Sequence, residues 1–89
     1  MEQVFSVYKI ESNQIIEKNQ VVFHGRALKL LKQGQTIYLT NNHGALGKII
    51  GIVSYGHTLE EIEPVMGCTL MVKFEENMPI SENIEWLYG

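Results

Sequence analysis

The amino-acid sequence predicts an all-β fold: a small, closed antiparallel barrel of six or seven short strands that forms one domain over residues 1–89. Ile and Val together number 17 whereas Ala occurs twice, and β-branched side chains favour strands over helices. Turn-forming residues divide the chain into short apolar segments, as in proteins built from many short strands. Because a closed ring of strands leaves no exposed sheet edge, a barrel is the expected architecture.

The first part of the chain is predicted to alternate strands and turns. In order, it contains a strand over residues 4–10, a turn at 11–13, a short apolar return at 14–17, a turn at 18–19, a strand over 20–28, a loop at 32–34 and a strand over 35–40. In the clearest strand, one face would carry Val21, Phe23, Gly25 and Ala27. A glycine inside a strand predicts a bulge, a bend or a close backbone approach, which we expect at Gly25.

The second part continues the pattern and adds one short helical turn. In order, it contains a turn at 41–44, a strand over 46–55 interrupted by Gly51, a break at 56–57, the helical turn near 58–63, a strand over 68–75, a turn at 77–79 and a strand over 84–88. The helical turn is predicted because Thr58 and Glu61 have the spacing of a capping box, and Pro64 would end it.

The charge of the chain disfavours a dedicated nucleic-acid-binding protein. Ten Glu face six Lys and one Arg, which gives a formal net charge of −3. Proteins that bind DNA or RNA usually carry a basic excess, because neutralising phosphates supplies most of the affinity. The tightest basic group is Arg26, Lys29 and Lys32. We therefore expect no DNA partner and keep RNA or the ribosome as an alternative.

The sequence predicts neither a metal site nor a cofactor nor a catalytic centre. His24, His43 and His57 lie on a predicted strand, turn and loop, without the close spacing of zinc ligands. Cys68 is the only cysteine, which excludes an intramolecular disulfide and fits a reducing cytoplasm. Its apolar neighbours predict a buried side chain, and an enzyme with Cys68 as nucleophile is the less favoured alternative.

Membrane insertion and export are not expected. The first residues lack the basic and long apolar regions of a signal peptide. No window of the sequence approaches 18 uninterrupted apolar residues, the length of a membrane-spanning helix. A cytoplasmic location without a membrane partner is therefore predicted.

The order of these segments resembles the second domain of translational GTPases of the elongation factor Tu type, over most of residues 5–87. Gly25-Arg26 and Lys32-x-Gly34 stand at the places of the family's Val-Val-x-Gly-Arg-Val and Lys-x-Gly motifs. Residues 47–52 are similar to its Lys-Val-x-x-Ile strand. The chain departs from the family at residues 17–20, where a Gly-Arg-Gly turn is usual, and it has no GTP-binding motif. The resemblance implies a six-stranded Greek-key barrel with bends at Gly25 and Gly51, and it does not imply catalysis.

Together these observations predict a non-catalytic, stand-alone binding module that docks a protein partner. The alternative is a translation accessory protein associated with RNA, tRNA or the ribosome. The resemblance matches Glu11 to a loop region that helps to hold the aminoacyl end of tRNA. Homo-oligomer formation through an edge strand, or a small ligand in the barrel mouth, also stays open. The candidate binding residues are Glu11, His24, Arg26, Lys29 and Lys32.

Overall fold

The computed structural model of the chain describes residues 1–12, 19–40, 46–75 and 84–89. Over those residues it contains strands and turns but no helix, so the all-β prediction is confirmed. The strands are β1 (Gln3–Ser12), β2 (Gln20–Ala27), β3 (Leu31–Lys32), β4 (Thr36–Tyr38), β5 (Leu46–Ser54), β6 (His57–Leu59), β7 (Glu61–Ile62), β8 (Gly67–Phe74) and β9 (Trp86–Tyr88).

Six of these strands are hydrogen-bonded into a ring. Neighbours follow the order β4, β9, β1, β2, β8, β5, and a further pairing joins β5 back to β4. Strand β6 adds to β5 as the second strand of a hairpin. Strands β3 and β7 form a separate antiparallel pair. The ring therefore has the predicted number of strands, and three short strands that were not predicted accompany it.

Side chains that point into the ring form the hydrophobic core. The prediction that Val21, Phe23, Gly25 and Ala27 share one face of β2 is confirmed, and all four are buried on the inward side. Phe23 packs edge-to-face on Phe74 of β8, with ring centroids 6.4 Å apart. The largest fully buried side chains are those of Phe5, Phe23, Leu31, Ile37, Ile49, Ile52, Leu70, Val72 and Leu87.

Two irregularities lie where glycines interrupt the predicted strands. A Cβ atom on Gly25 would overlap the carbonyl oxygen of Ser6, so β1 approaches β2 at backbone contact distance. The register between β1 and β2 shifts between Val7 and Lys9. The register between β5 and β8 shifts next to Gly51, whose missing side chain makes room for the Met71 methyl group. The close approach expected at Gly25 is confirmed.

Three local predictions are wrong. No helical turn forms over residues 58–63, because β6 pairs with β5 and β7 pairs with β3, so the backbone is extended on both sides of Glu60. The turn predicted at residues 11–13 begins too early, since Glu11 pairs with Val22 inside β1. Lys32 lies in β3 rather than in a loop. Predictions for residues 13–18, 41–44 and 77–79 lie outside the described residues.

The turn that leads into β8 contains a strained residue. The Met66 N–H donates to the carbonyl oxygen of Glu63 at 3.4 Å, and Pro64 takes the second position of this turn. Val65 follows with a φ of 70°, a left-handed conformation that β-branched residues rarely adopt. The Val65 side chain is 70% exposed, so core packing does not offset this cost.

Val65→Gly is expected to raise the free energy of unfolding by about 1 kcal/mol. The left-handed conformation costs an L residue about 1–2 kcal/mol, and the extra freedom of glycine in the unfolded chain offsets only part of that gain. Urea denaturation measures the difference. Met66→Gly, beside it but without positive φ, is the control and should destabilise the protein. Equal losses in both variants would contradict the prediction.

Candidate functional site

An open groove of about 440 Å³ crosses the outer face of the ring. It is lined by Tyr8 on β1 and by Tyr55 directly after β5, and these two strands flank the pair β2 and β8. Between them the groove is lined by His24 of β2 and by Gly67 and Thr69 of β8. The two tyrosine side chains are 64% and 87% exposed. The groove therefore presents two aromatic rings at the protein surface.

Tyr8 lies at a bulge, where β1 contains one extra residue. Val7 pairs with Gly25 and Lys9 pairs with His24, which leaves Tyr8 without an opposite residue in β2. Tyr8 is exposed, as alternation requires after Val7, which packs against the core. The extra residue places Lys9, opposite His24, on the same outer face as Tyr8.

Tyr55 is held by the tight turn that joins β5 to β6. Ser54 pairs with His57, so Tyr55 and Gly56 form a two-residue hairpin turn. Their φ values are 50° and 78°, as in the type I′ turns that favour Asn followed by Gly. A tyrosine at the first position is unusual, since a left-handed backbone is costly for a bulky side chain.

Tyr55→Asn is expected to raise the free energy of unfolding by about 0.5–1 kcal/mol. Asn accepts a positive φ at lower cost, and Asn-Gly is the preferred pair in this turn. Thermal or urea denaturation measures the gain. The control is Tyr8→Asn, the same exchange in strand β1, which should not stabilise the protein. A Tyr55→Asn variant less stable than the wild type would contradict the prediction.

Gly67 sets the depth of the groove. A Cβ atom built on Gly67 would have only the Gly25 carbonyl oxygen within 4 Å, at 3.7 Å, so the space above this residue is open. The carbonyl oxygen of Gly67 accepts a hydrogen bond of 2.8 Å from the hydroxyl of Ser54. That bond ties β8 to the end of β5 beneath the groove. A larger side chain at position 67 would fill the groove without a backbone clash.

A polar cluster borders the groove on β1, β2 and β8. Nδ1 of His24 and Oγ1 of Thr69 are hydrogen-bonded at 2.9 Å. Oε1 of Glu11 lies 3.2 Å from Nζ of Lys9 and 3.5 Å from Nε2 of His24. Hydrogen bonding to Lys9, and secondarily to His24, lowers the pKa of the Glu11 carboxyl group. Glu11 therefore keeps its negative charge to a lower pH than an isolated glutamate.

The structure brings together some of the predicted site residues and separates others. Glu11, His24 and Arg26 lie on one outer face, with Glu11 against His24 and Arg26 two residues further along β2. Lys29 instead forms an ion pair with Glu2 at 3.3 Å. Lys32 lies in the separate β3/β7 pair, opposite Glu61. The basic group seen in the sequence is therefore dispersed, and two of its members face carboxylates.

Cys68 reaches the groove wall but is unsuited to nucleophilic attack. It is a buried residue, and burial raises the pKa of its thiol to about 11. The thiol is therefore protonated at neutral pH, whereas the thiolate is the reactive form. Across the described parts of the chain, no three His, Cys, Asp or Glu residues are grouped so that they could hold a metal ion.

Two further findings concern membrane-spanning helices and similarity to known proteins. In the described ranges, no helix has the length and apolar character needed to cross a membrane. No protein-family model, curated protein or solved structure matches the chain, so its similarity to the second domain of translational GTPases stays an expectation from the sequence motifs.

Proposed function

We propose that this chain is a non-catalytic binding module that docks a partner protein, with the groove between Tyr8 and Tyr55 as its docking surface. The observation that carries the proposal is the placement of the two tyrosines. Each is largely exposed, and each is held by an irregular backbone: a bulge in β1 and a left-handed turn after β5. Backbone irregularities with a local cost cluster at functional sites, and tyrosine is enriched among the residues that dominate protein interfaces.

A protein partner fits the charges better than RNA does. A surface that binds phosphates needs cations that are free to approach them. Lys9 and Lys29 are ion-paired within the described structure, and Lys32 faces Glu61. Arg26 lies near the groove, opposite Gly67, and forms no ion pair with a carboxylate of the described ranges. The translation accessory that binds RNA, tRNA or the ribosome is the second candidate, supported by the sequence motifs.

The fold supports a finer proposal as well. We propose that the ring of six strands is a Greek-key barrel like that of the translational GTPase domain. Strands β2 and β8, and strands β1 and β9, are neighbours although they are distant in the chain, so the ring is not a simple meander. Within such a barrel the docking groove would lie on the outer wall. We also propose the cytoplasmic location that the sequence predicts.

The test compares affinity capture from native lysate by three baits: the wild type, Gly67→Val and Lys48→Val. Gly67→Val fills the groove, whereas Lys48→Val adds a valine at an exposed strand position that does not line it. Each lysate is split into nuclease-treated and untreated halves. Thermal melting first verifies that both variants fold.

We expect one or a few proteins that survive nuclease treatment, bind the wild type and Lys48→Val, and are lost with Gly67→Val. Titration of the purified partner should show the same order of affinities. A partner that binds Gly67→Val as well as the wild type would contradict the groove as docking surface. Loss of all partners on nuclease treatment, with binding that weakens steeply with salt, would favour the RNA candidate. Light scattering of the free protein measures its oligomeric state, and so distinguishes a homo-oligomer from binding to another protein or to RNA.

A further inference from the structure

The length of the groove sets the size of the segment that fits it. Tyr8 and Tyr55 are separated by three strand spacings, from β1 through β2 and β8 to β5. Neighbouring strands lie about 4.8 Å apart, so the groove spans about 14 Å. An extended polyproline II segment rises about 3.1 Å per residue, so four or five residues cover that distance. A short extended segment of four or five residues therefore matches the length of the groove.

Strands β2 and β8, which run beneath the middle of the groove, have no free hydrogen-bonding edge there. Strand β2 pairs with β1 on one side and with β8 on the other, and β8 also pairs with β5. A segment lying across these strands cannot add to the sheet, and its own N–H groups would find few acceptors. Proline has no N–H group and loses little conformational freedom on binding. A proline-rich segment therefore leaves the fewest N–H groups without an acceptor when it binds here. Its pyrrolidine rings also stack on the tyrosine rings.

The positive charge of Arg26 beside the groove favours a bound segment that carries an acidic residue next to its prolines. Arg26 is exposed on the outer face of β2, opposite Gly67 of the groove floor. Among the ion pairs formed within the described ranges, Lys9 binds Glu11 and Lys29 binds Glu2, whereas Arg26 takes part in none of them. A carboxylate on the bound segment can pair with Arg26 through two hydrogen bonds.

We propose that the groove binds an extended, proline-rich segment of a partner protein that carries an acidic residue beside its prolines. This inference rests on the docking function proposed above and specifies its ligand. Tyr8 and Tyr55 contact prolines near the two ends of the segment, and Arg26 contacts the carboxylate. His24, held by Thr69 at 2.9 Å, forms part of the wall between them.

The experiment uses an array of short synthetic peptides with the 89-residue chain as probe. Each peptide has a central run of prolines, and one glutamate is moved through every other position. Matched sets replace the glutamate with lysine or the prolines with alanine. Fluorescence polarisation then measures the affinity of the best peptide for the wild type, Gly67→Val, Tyr55→Asn, Arg26→Glu and the control Lys48→Val.

We expect the glutamate–proline set to bind best, with about tenfold weaker binding after either peptide exchange. Gly67→Val and Tyr55→Asn should lose about tenfold in affinity while Lys48→Val does not, and Tyr55→Asn should do so although its fold is more stable. Arg26→Glu should reverse the preference from glutamate to lysine peptides. Such a reversal is an effect that a purely structural role of Arg26 would not produce.

The inference is overturned if alanine peptides bind as well as proline peptides, if Arg26→Glu leaves the charge preference unchanged, or if no peptide of the array binds. In the last case the capture experiment still decides the broader proposal. A lysate partner that Gly67→Val loses would keep the docking function and discard the proline-rich ligand. A partner unaffected by Gly67→Val would discard both.

Discussion

Gly25→Ala is expected to lower the free energy of unfolding by about 3 kcal/mol or more. A Cβ atom at this position would overlap the Ser6 carbonyl oxygen and lie 2.9 Å from Cε2 of Phe5. The first contact is with backbone, which cannot rotate away as a side chain can. Relief requires that β1 and β2 separate where the bulge at Tyr8 already interrupts their register. A domain of this size has little stability to lose, so the variant should lie close to unfolding.

Urea denaturation with far-ultraviolet circular dichroism measures this loss. Gly67→Ala is the matched control, because it makes the same exchange in the neighbouring strand β8, where the nearest atom to the new Cβ lies at 3.7 Å. We expect the control to match or exceed the stability of the wild type, since alanine has less freedom in the unfolded chain. Similar midpoints for both variants would show that β1 and β2 are not in contact at Gly25.

Phe23→Ala is expected to lower the free energy of unfolding by about 3–5 kcal/mol. Phe23 is fully buried on the inward face of β2, and its ring packs edge-to-face on Phe74. Truncation removes the apolar surface that the ring buries and leaves a cavity in the middle of the ring of strands. It also removes the aromatic pair that joins β2 to β8.

Tyr8→Ala is the control for this core substitution, because it also truncates an aromatic residue but at a side chain that is 64% exposed. The control should change the free energy of unfolding by about 0.5 kcal/mol or less. Denaturation monitored by the fluorescence of Trp86 compares the two. Equal effects of the two truncations would mean that Phe23 does not fill the core.

The elements that the sequence predicts well are those with strong alternation. In β2, the inward positions are apolar or glycine and the outward ones include His24 and Arg26, so both the strand and its orientation follow from the order of residues. The capping spacing of Thr58 and Glu61 is a weaker signal. The helical turn does not form because Thr58 lies in β6, which pairs with β5, and Glu61 lies in β7, which pairs with β3.

The candidate site is only partly predictable, because the register in which the strands pair decides which of its residues lie together. Glu11, His24 and Arg26 were expected from charge, polarity and the family motif. Lys9 and Thr69 were not, since their contact with the cluster depends on one extra residue in β1 and on the pairing of β2 with β8. Tyr8 and Tyr55 look like ordinary strand aromatics in the sequence. The pair Tyr55-Gly56 between two apolar runs is the signal that could have indicated a hairpin turn with an exposed ring.

The closed ring of strands also has a kinetic consequence. The pairing of β9 with β1 joins Leu87 to Phe5, so this part of the ring forms between residues that are very distant in the sequence. Contacts between residues so distant along the chain slow the search for the native state, and folds dominated by them refold in about milliseconds to seconds. Until β9 docks, β1 and β4 each expose an unpaired edge, and the half-assembled chain is then most prone to associate with other copies of itself.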